Sequence, residues 1–140
     1  METGASEAEP LIRRHLRAGW WGLFVFLALG GAIEVMHAVK QPELLDAGRE
    51  TTRLLVRLAH AHGTLLSLVN IAFALTARAR PAVATRGASL SLFAALVLLP
   101  LGFLLGGLTA HGGDPGLPVL LVPPGAVALA FGVAQIARRA

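Results

Sequence analysis

Four apolar runs, each about the length needed to cross a bilayer, constrain this chain more than any other feature. They are Gly19–Val39, Leu54–Ala77, Ala88–His111 and Leu117–Ala137. A hydrocarbon core of roughly 30 Å takes about 20 helical residues. Inside lipid every backbone N–H and C=O needs an internal partner, so such runs form helices. The expected fold is therefore an all-α, integral membrane four-helix bundle over residues 18–140, preceded by a disordered cytoplasmic tail over 1–17. Composition agrees, since 14% of residues are charged, against roughly a quarter in soluble domains. The first run is too long for a signal peptide and lacks a small-x-small cleavage site near Lys40, so it is read as a retained helix.

The arginines set the orientation. Arg13, Arg14 and Arg17 precede the first run, Arg78, Arg80 and Arg86 lie between the second and third, and Arg138 and Arg139 follow the fourth. Basic residues flanking membrane helices mark the cytoplasmic side, which places both termini inside, with Trp20 and Trp21 at the inner interface. A bacterial-type inner or cell membrane is the expected location. The same clustering argues against nucleic acid as the target of the net charge of +4. Pro100 is expected to kink the third helix and Pro123-Pro124 to bend or restart the fourth. The long loop KQPELLDAGRETTR has room for a short surface helix.

Chemistry is limited by what is missing. There is no cysteine and no tyrosine, which removes thiolate ligands, thiol nucleophiles and a tyrosyl donor. No phosphate-binding loop, nucleophile elbow or H-E-x-x-H helix occurs. Ser89 and Ser91 lie near the inner face with no base expected nearby, so Ser-His hydrolase chemistry is not anticipated. The inner halves of the runs are almost wholly apolar, which argues against a channel through one protomer.

The remaining ionisable groups converge at the outer level. Gly63–Ala77 alone is about 15 residues, or about 22 Å, too short to cross, so the second helix starts near Leu58 and carries His60 and His62 within its outer part. Glu34 and His37 fall near the outer end of the first helix, on one face at i,i+3. His111 closes the third. His60 shares a polar stripe with Arg57, Thr64, Ser67 and Asn70 and is expected to face inward. His62 lies about 200° away, toward lipid or a subunit interface. A carboxylate such as Glu34 is costly in a membrane unless paired, metal-bound or protonated.

The segment Ala59-His60-Ala61-His62-Gly63, after Arg57, resembles the histidine motif near the outer end of the second helix of haem-copper oxidase subunit I. The four-helix pattern is similar to small bacterial membrane proteins grouped with that subunit. The resemblance implies a haem ligated by His60 with His37 or His111, and Arg57 facing a propionate. The chain lacks most of the twelve oxidase helices, the copper histidines and the tyrosine, so oxygen reduction is not implied. An alternative without haem is a single transition-metal ion held by Glu34, His37, His60 and His111. In size, and in its histidine-bearing second helix, the chain also resembles the hydroxylaminobenzene mutase family, whose fuller HLEG-type motif is absent; that kinship implies a small membrane enzyme. The structural alternative is a non-catalytic scaffold or partner subunit in which these groups form an interhelical hydrogen-bond network. Partners expected on any reading are the bilayer and further subunits, either copies of this chain or members of a membrane complex.

Overall fold

A computed structural model describes residues 2–42 and 46–140, with side chains described from residue 8 onward except at Ala47. Among the described residues it is all-helical, with no strand. Helix α1 spans Glu2–Ala38, α2 Glu50–Ala79, α3 Arg86–Leu108 and α4 Val122–Ala137. Short 3-10 turns at Ala47–Arg49, Pro81–Val83 and Leu117–Leu121 join them. Four segments, beginning at Ala8, Glu50, Arg86 and Leu117, are long and apolar enough to cross a membrane.

Successive helices run antiparallel. His15 meets Asn70 while His37 meets Arg57, and Gly87 lies against Gln135 while Gly106 lies against Val119. Arg13, Arg14, Arg17, Arg78, Arg80, Arg86, Arg138 and Arg139 therefore share one end, the basic end, together with Glu2 and Ala140. Residues 39–42 and 46–49, with the loop 109–116, lie at the other end. The helices follow one another in an array: α1 packs mainly on α2, α2 on α3, and α3 on α4. Helix α3 is apolar all round and central, as its sequence requires.

Helix α1 corrects the expectation of a disordered tail. It is helical from Glu2, and Ala8 and Ile12 are buried against Phe73, Ala74 and Val83. The cause is a continued stripe: positions 8, 12, 15 and 19 are all buried, a spacing that keeps one helical face on α2. Helix α2 also starts earlier than expected, at Glu50. In the long loop Pro42 is helical, Asp46 N–H donates to Pro42 O at 3.0 Å, and a 3-10 turn follows at Ala47–Arg49; residues 43–45 lie outside the described residues. Lys40 ends α1 at φ 50°, with Lys40 N–H donating to His37 O and Gln41 N–H to Met36 O. This double bond pattern closes a helix through a left-handed residue.

Close approach is built from glycine. An ideal Cβ on Gly63 would stand 2.3 Å from the Phe26 ring, and one on Gly106 3.1 Å from Val119. Small residues let membrane helices touch backbone to side chain where no hydrophobic drive favours association. Helix α3 runs unbroken through Pro100, whereas the fourth segment begins as a 3-10 turn and becomes α-helical at Val122, beside Pro123 and Pro124.

Candidate functional site

Two polar clusters lie on the α1–α2 seam, one near each end. The first is the one read from sequence. The stretch Leu58–Ala77 is free of Lys, Arg, Asp and Glu and measures about 30 Å as a helix. His60 sits on the α1 side of this stretch, toward the loop end. Its Nδ1–H donates to the Phe26 carbonyl over 2.7 Å. That bond fixes the tautomer and leaves Nε2 with its lone pair. Gly30 makes room for the ring: an ideal Cβ there would be 2.4 Å from His60 Cε1. A groove of about 270 Å³ opens beside it, lined by Leu27, Gly30, Gly31, Ile33, Glu34, Arg57 and His60.

His37, one turn outward from Ile33, is fully engaged. Its Nδ1–H donates to the Ile33 carbonyl at 2.9 Å, and Arg57 Nη2 donates to its Nε2 at 2.8 Å. Neither ring nitrogen is left for a cofactor. Glu34 is exposed at the groove, and the guanidinium beside it, Arg57, bonds His37 instead. His111 stands apart on the exposed loop, its Nδ1 donating to Thr109 O at 3.0 Å, and lines a different cavity with Asp46, Arg49 and Thr51. The structure thus brings Glu34, Arg57 and His60 together, with His37 behind Arg57, and leaves His111 elsewhere. Among the described residues no three histidine or carboxylate groups come close enough to hold a metal ion.

His62 departs from expectation. It faces α3, with its ring 4.8 Å from that of Phe103 and its Nδ1–H on the Leu58 carbonyl. A 200° offset from His60 pointed to lipid only if α2 had one neighbour. Being central, it has two.

The second cluster was not singled out in the sequence. His15, Asn70 and Ser89 are fully buried where α1, α2 and α3 meet near the basic end. Asn70 Nδ2 donates to Leu66 O at 2.8 Å, which turns its Oδ1 toward His15. His15 Nδ1–H donates to that oxygen at 2.6 Å. Ser89 Oγ–H then donates to His15 Nε2 at 2.8 Å, and Arg14 Nη2 donates to Ser89 Oγ at 2.5 Å. Every polar atom of the chain of bonds has a partner, as buried polar groups require. Arg14 also lies 5.4 Å over the Phe93 ring, and His15 meets Phe73 edge-on at 4.7 Å.

A base does therefore stand beside Ser89, contrary to the sequence reading. Serine, imidazole and an orienting amide occur in the order of a nucleophilic relay. Both Ser89 and His15 are sealed from the surface, and Arg14 occupies the serine oxygen, so no carbonyl can approach. The cluster acts as a clamp tying three helices. The signal that finds it is periodicity: within Arg13-Arg14-His15-Leu16-Arg17, position 15 alone falls on the stripe of Ala8, Ile12 and Gly19.

Farther along the seam, Thr64 Oγ1 is buried without a hydrogen-bond partner. It lies one helical turn from His60, on the stripe that carries Ser67 and Asn70. Ser67 bonds its own helix at Gly63 O, 2.7 Å away.

Against a haem, the donor set fits in part. One imidazole has an oriented Nδ1 and an open Nε2, the arrangement that holds iron-ligating histidines in register. A guanidinium lies at the same groove for a propionate. A second axial imidazole is not offered by His37 or His111. Against a bare ion the fit is poorer, since the four groups proposed for it do not converge. Compared with known protein families, curated proteins and solved structures, the chain matches none.

Proposed function

We propose that this chain is a multi-pass membrane protein that binds haem in the α1–α2 groove, with His60 Nε2 as its one axial ligand. The chain inserts with its arginine-rich end and both termini on the cytoplasmic side, following the basic-residue rule, which sets the groove near the outer face. The observation that carries the reading is the bond from His60 Nδ1 to Phe26 O, which presents a fixed, unprotonated nitrogen to an open groove inside the apolar segment.

Gly31, with open space where a Cβ would stand, supplies a wall without a side chain beside the His60 ring, against which a flat ring can lie. The groove is smaller than a porphyrin and open at its side, so it would grip one edge of the ring and leave the rest to lipid or a neighbouring subunit. Arg57, steadied by His37, would pair with a propionate; Glu34 would lie beside it at the rim. A bound haem supplies one-electron chemistry tuned by its axial ligand and surroundings, and the function is electron transfer or sensing. A bare transition-metal site is a weaker reading, because one imidazole and one carboxylate cannot hold such an ion tightly.

A second reading is a scaffold or partner subunit. It draws on the open array, in which α1 packs mainly on α2 and α4 mainly on α3, and both leave long apolar faces. Haem titration of the detergent-purified apoprotein separates the two. Stoichiometric binding that depends on His60 supports the first. Absence of binding after supply of haem removes it and leaves the second.

A further inference from the structure

The His60 groove is half of what a haem asks for. Iron in a porphyrin has an axial position on each face of the ring, and the ring carries two propionates along one edge. At its groove one chain offers a single open imidazole nitrogen, since His60 Nδ1 is held by Phe26 O and both nitrogens of His37 are bonded. It offers one guanidinium, Arg57, which keeps further N–H donors beyond the one given to His37. The groove is about 270 Å³ and open at its side, below the roughly 300–1,000 Å³ usual for small-molecule sites.

We infer that two copies of this chain share one haem between their His60 grooves, each supplying one axial imidazole and one arginine for a propionate. The inference rests on the haem reading and adds the partner. Symmetry carries it. Most homodimers are built about a two-fold axis, and two copies inserted the same way in one membrane can be related only by an axis along the membrane normal. Apart from its methyl and vinyl groups, haem has a two-fold axis of its own. That axis lies in the ring plane, runs between the propionates, and exchanges the two faces and the two propionates together. Superposing the axes puts an imidazole on each face and both propionates at one end of the ring. Arg57 stands one helical turn from His60, on the same side of α2 and toward the loop end, so both arginines reach that same end. The surface around the groove permits the approach. Ala61, next to His60, is exposed, and across the groove Gly31 is exposed with open space where a Cβ would stand. Small residues let membrane helices come close. The rim carries one acid, Glu34, and one base, Arg57, so two such faces meet with balanced charge.

Haem titration of the protein in mild detergent tests this, read by visible and electron paramagnetic resonance spectra and by mass from light scattering. The titration is expected to close at one haem per two chains, with low-spin ferric iron and a protein mass that doubles on loading. Dimers of one wild-type and one His60→Ala copy, isolated on two different tags, should hold high-spin haem that added imidazole returns to low spin. Arg57→Ala keeps the axial ligands and should weaken binding about tenfold or more at the same stoichiometry. One haem per chain, a monomeric mass after loading, high-spin iron in the wild type, low-spin iron in the mixed dimers, or unchanged affinity in Arg57→Ala would overturn the inference and leave the haem reading standing. Absence of haem binding would overturn both.

Discussion

Replacing His15 by alanine tests the buried clamp. The substitution removes the bonds to Asn70 and Ser89 and the edge contact with Phe73. It leaves Asn70 Oδ1 and the Ser89 hydroxyl without their partner in a site closed to solvent. An unsatisfied buried group costs about 1–3 kcal/mol in soluble proteins, whereas interhelical hydrogen bonds in membranes average only about 0.6 kcal/mol. Two orphaned groups at the lower end of the first range, with a cavity added, give a loss of about 2–3 kcal/mol. Reversible unfolding in mixed micelles, followed by far-ultraviolet circular dichroism, measures it. His62→Ala is the internal control, since His62 bonds only its own helix and stacks on Phe103; its cost should stay near 1 kcal/mol. His15→Leu/Asn70→Leu should recover part of the loss, because removing both partners leaves fewer unpaired groups. A His15→Ala protein within about 0.5 kcal/mol of wild type, inside the usual spread for inconsequential sites, would refute the clamp.

The other predictions concern packing, topology and one helix end. Gly30→Ala should displace the His60 ring, because the new methyl would sit 2.4 Å from Cε1; haem titration should then fail while helicity is kept. Gly63→Ala should lower stability by about 1–3 kcal/mol by driving into the Phe26 ring, whereas Gly31→Ala, with nothing within 4 Å, should be silent in the same melts. Lys40→Gly should raise stability by about 0.5–1 kcal/mol by relieving the left-handed backbone, which a parallel unfolding curve would detect. The cysteine-free chain allows single-cysteine mapping: an impermeant maleimide should label Gly113→Cys in intact cells and Ala140→Cys only after permeabilisation.

The helices were legible because period and length suffice when every residue between two charged ends is apolar. The inward face of His60 was also legible, since Arg57, Thr64 and Ser67 mark one polar stripe of α2. What could not be read was how the helices neighbour one another. His62 looked lipid-facing until α3 proved to cover that side of α2 with Phe103. His111 shares a sequence-inferred depth with His60, but depth fixes height and not azimuth, and the short loop holds it over Asp46 and Arg49. The pairing of Arg57 with His37 in preference to Glu34 depends on side-chain reach across two helices, which spacing along either one does not encode. His15 was hidden differently: three flanking arginines made the segment look like a solvated tail, when a single position in it continues the buried stripe.

His60 offers a free ring nitrogen to the α1–α2 groove, whereas both nitrogens of His37 are bonded, His62 faces α3 and His111 stands on a loop. Visible absorption of haem-supplied wild type, beside single alanine variants at positions 37, 60, 62 and 111, tests it most directly. A Soret band is expected that vanishes in His60→Ala and persists, at most shifted, in the other three. A band that survives without His60, or that disappears equally in all four, would contradict it.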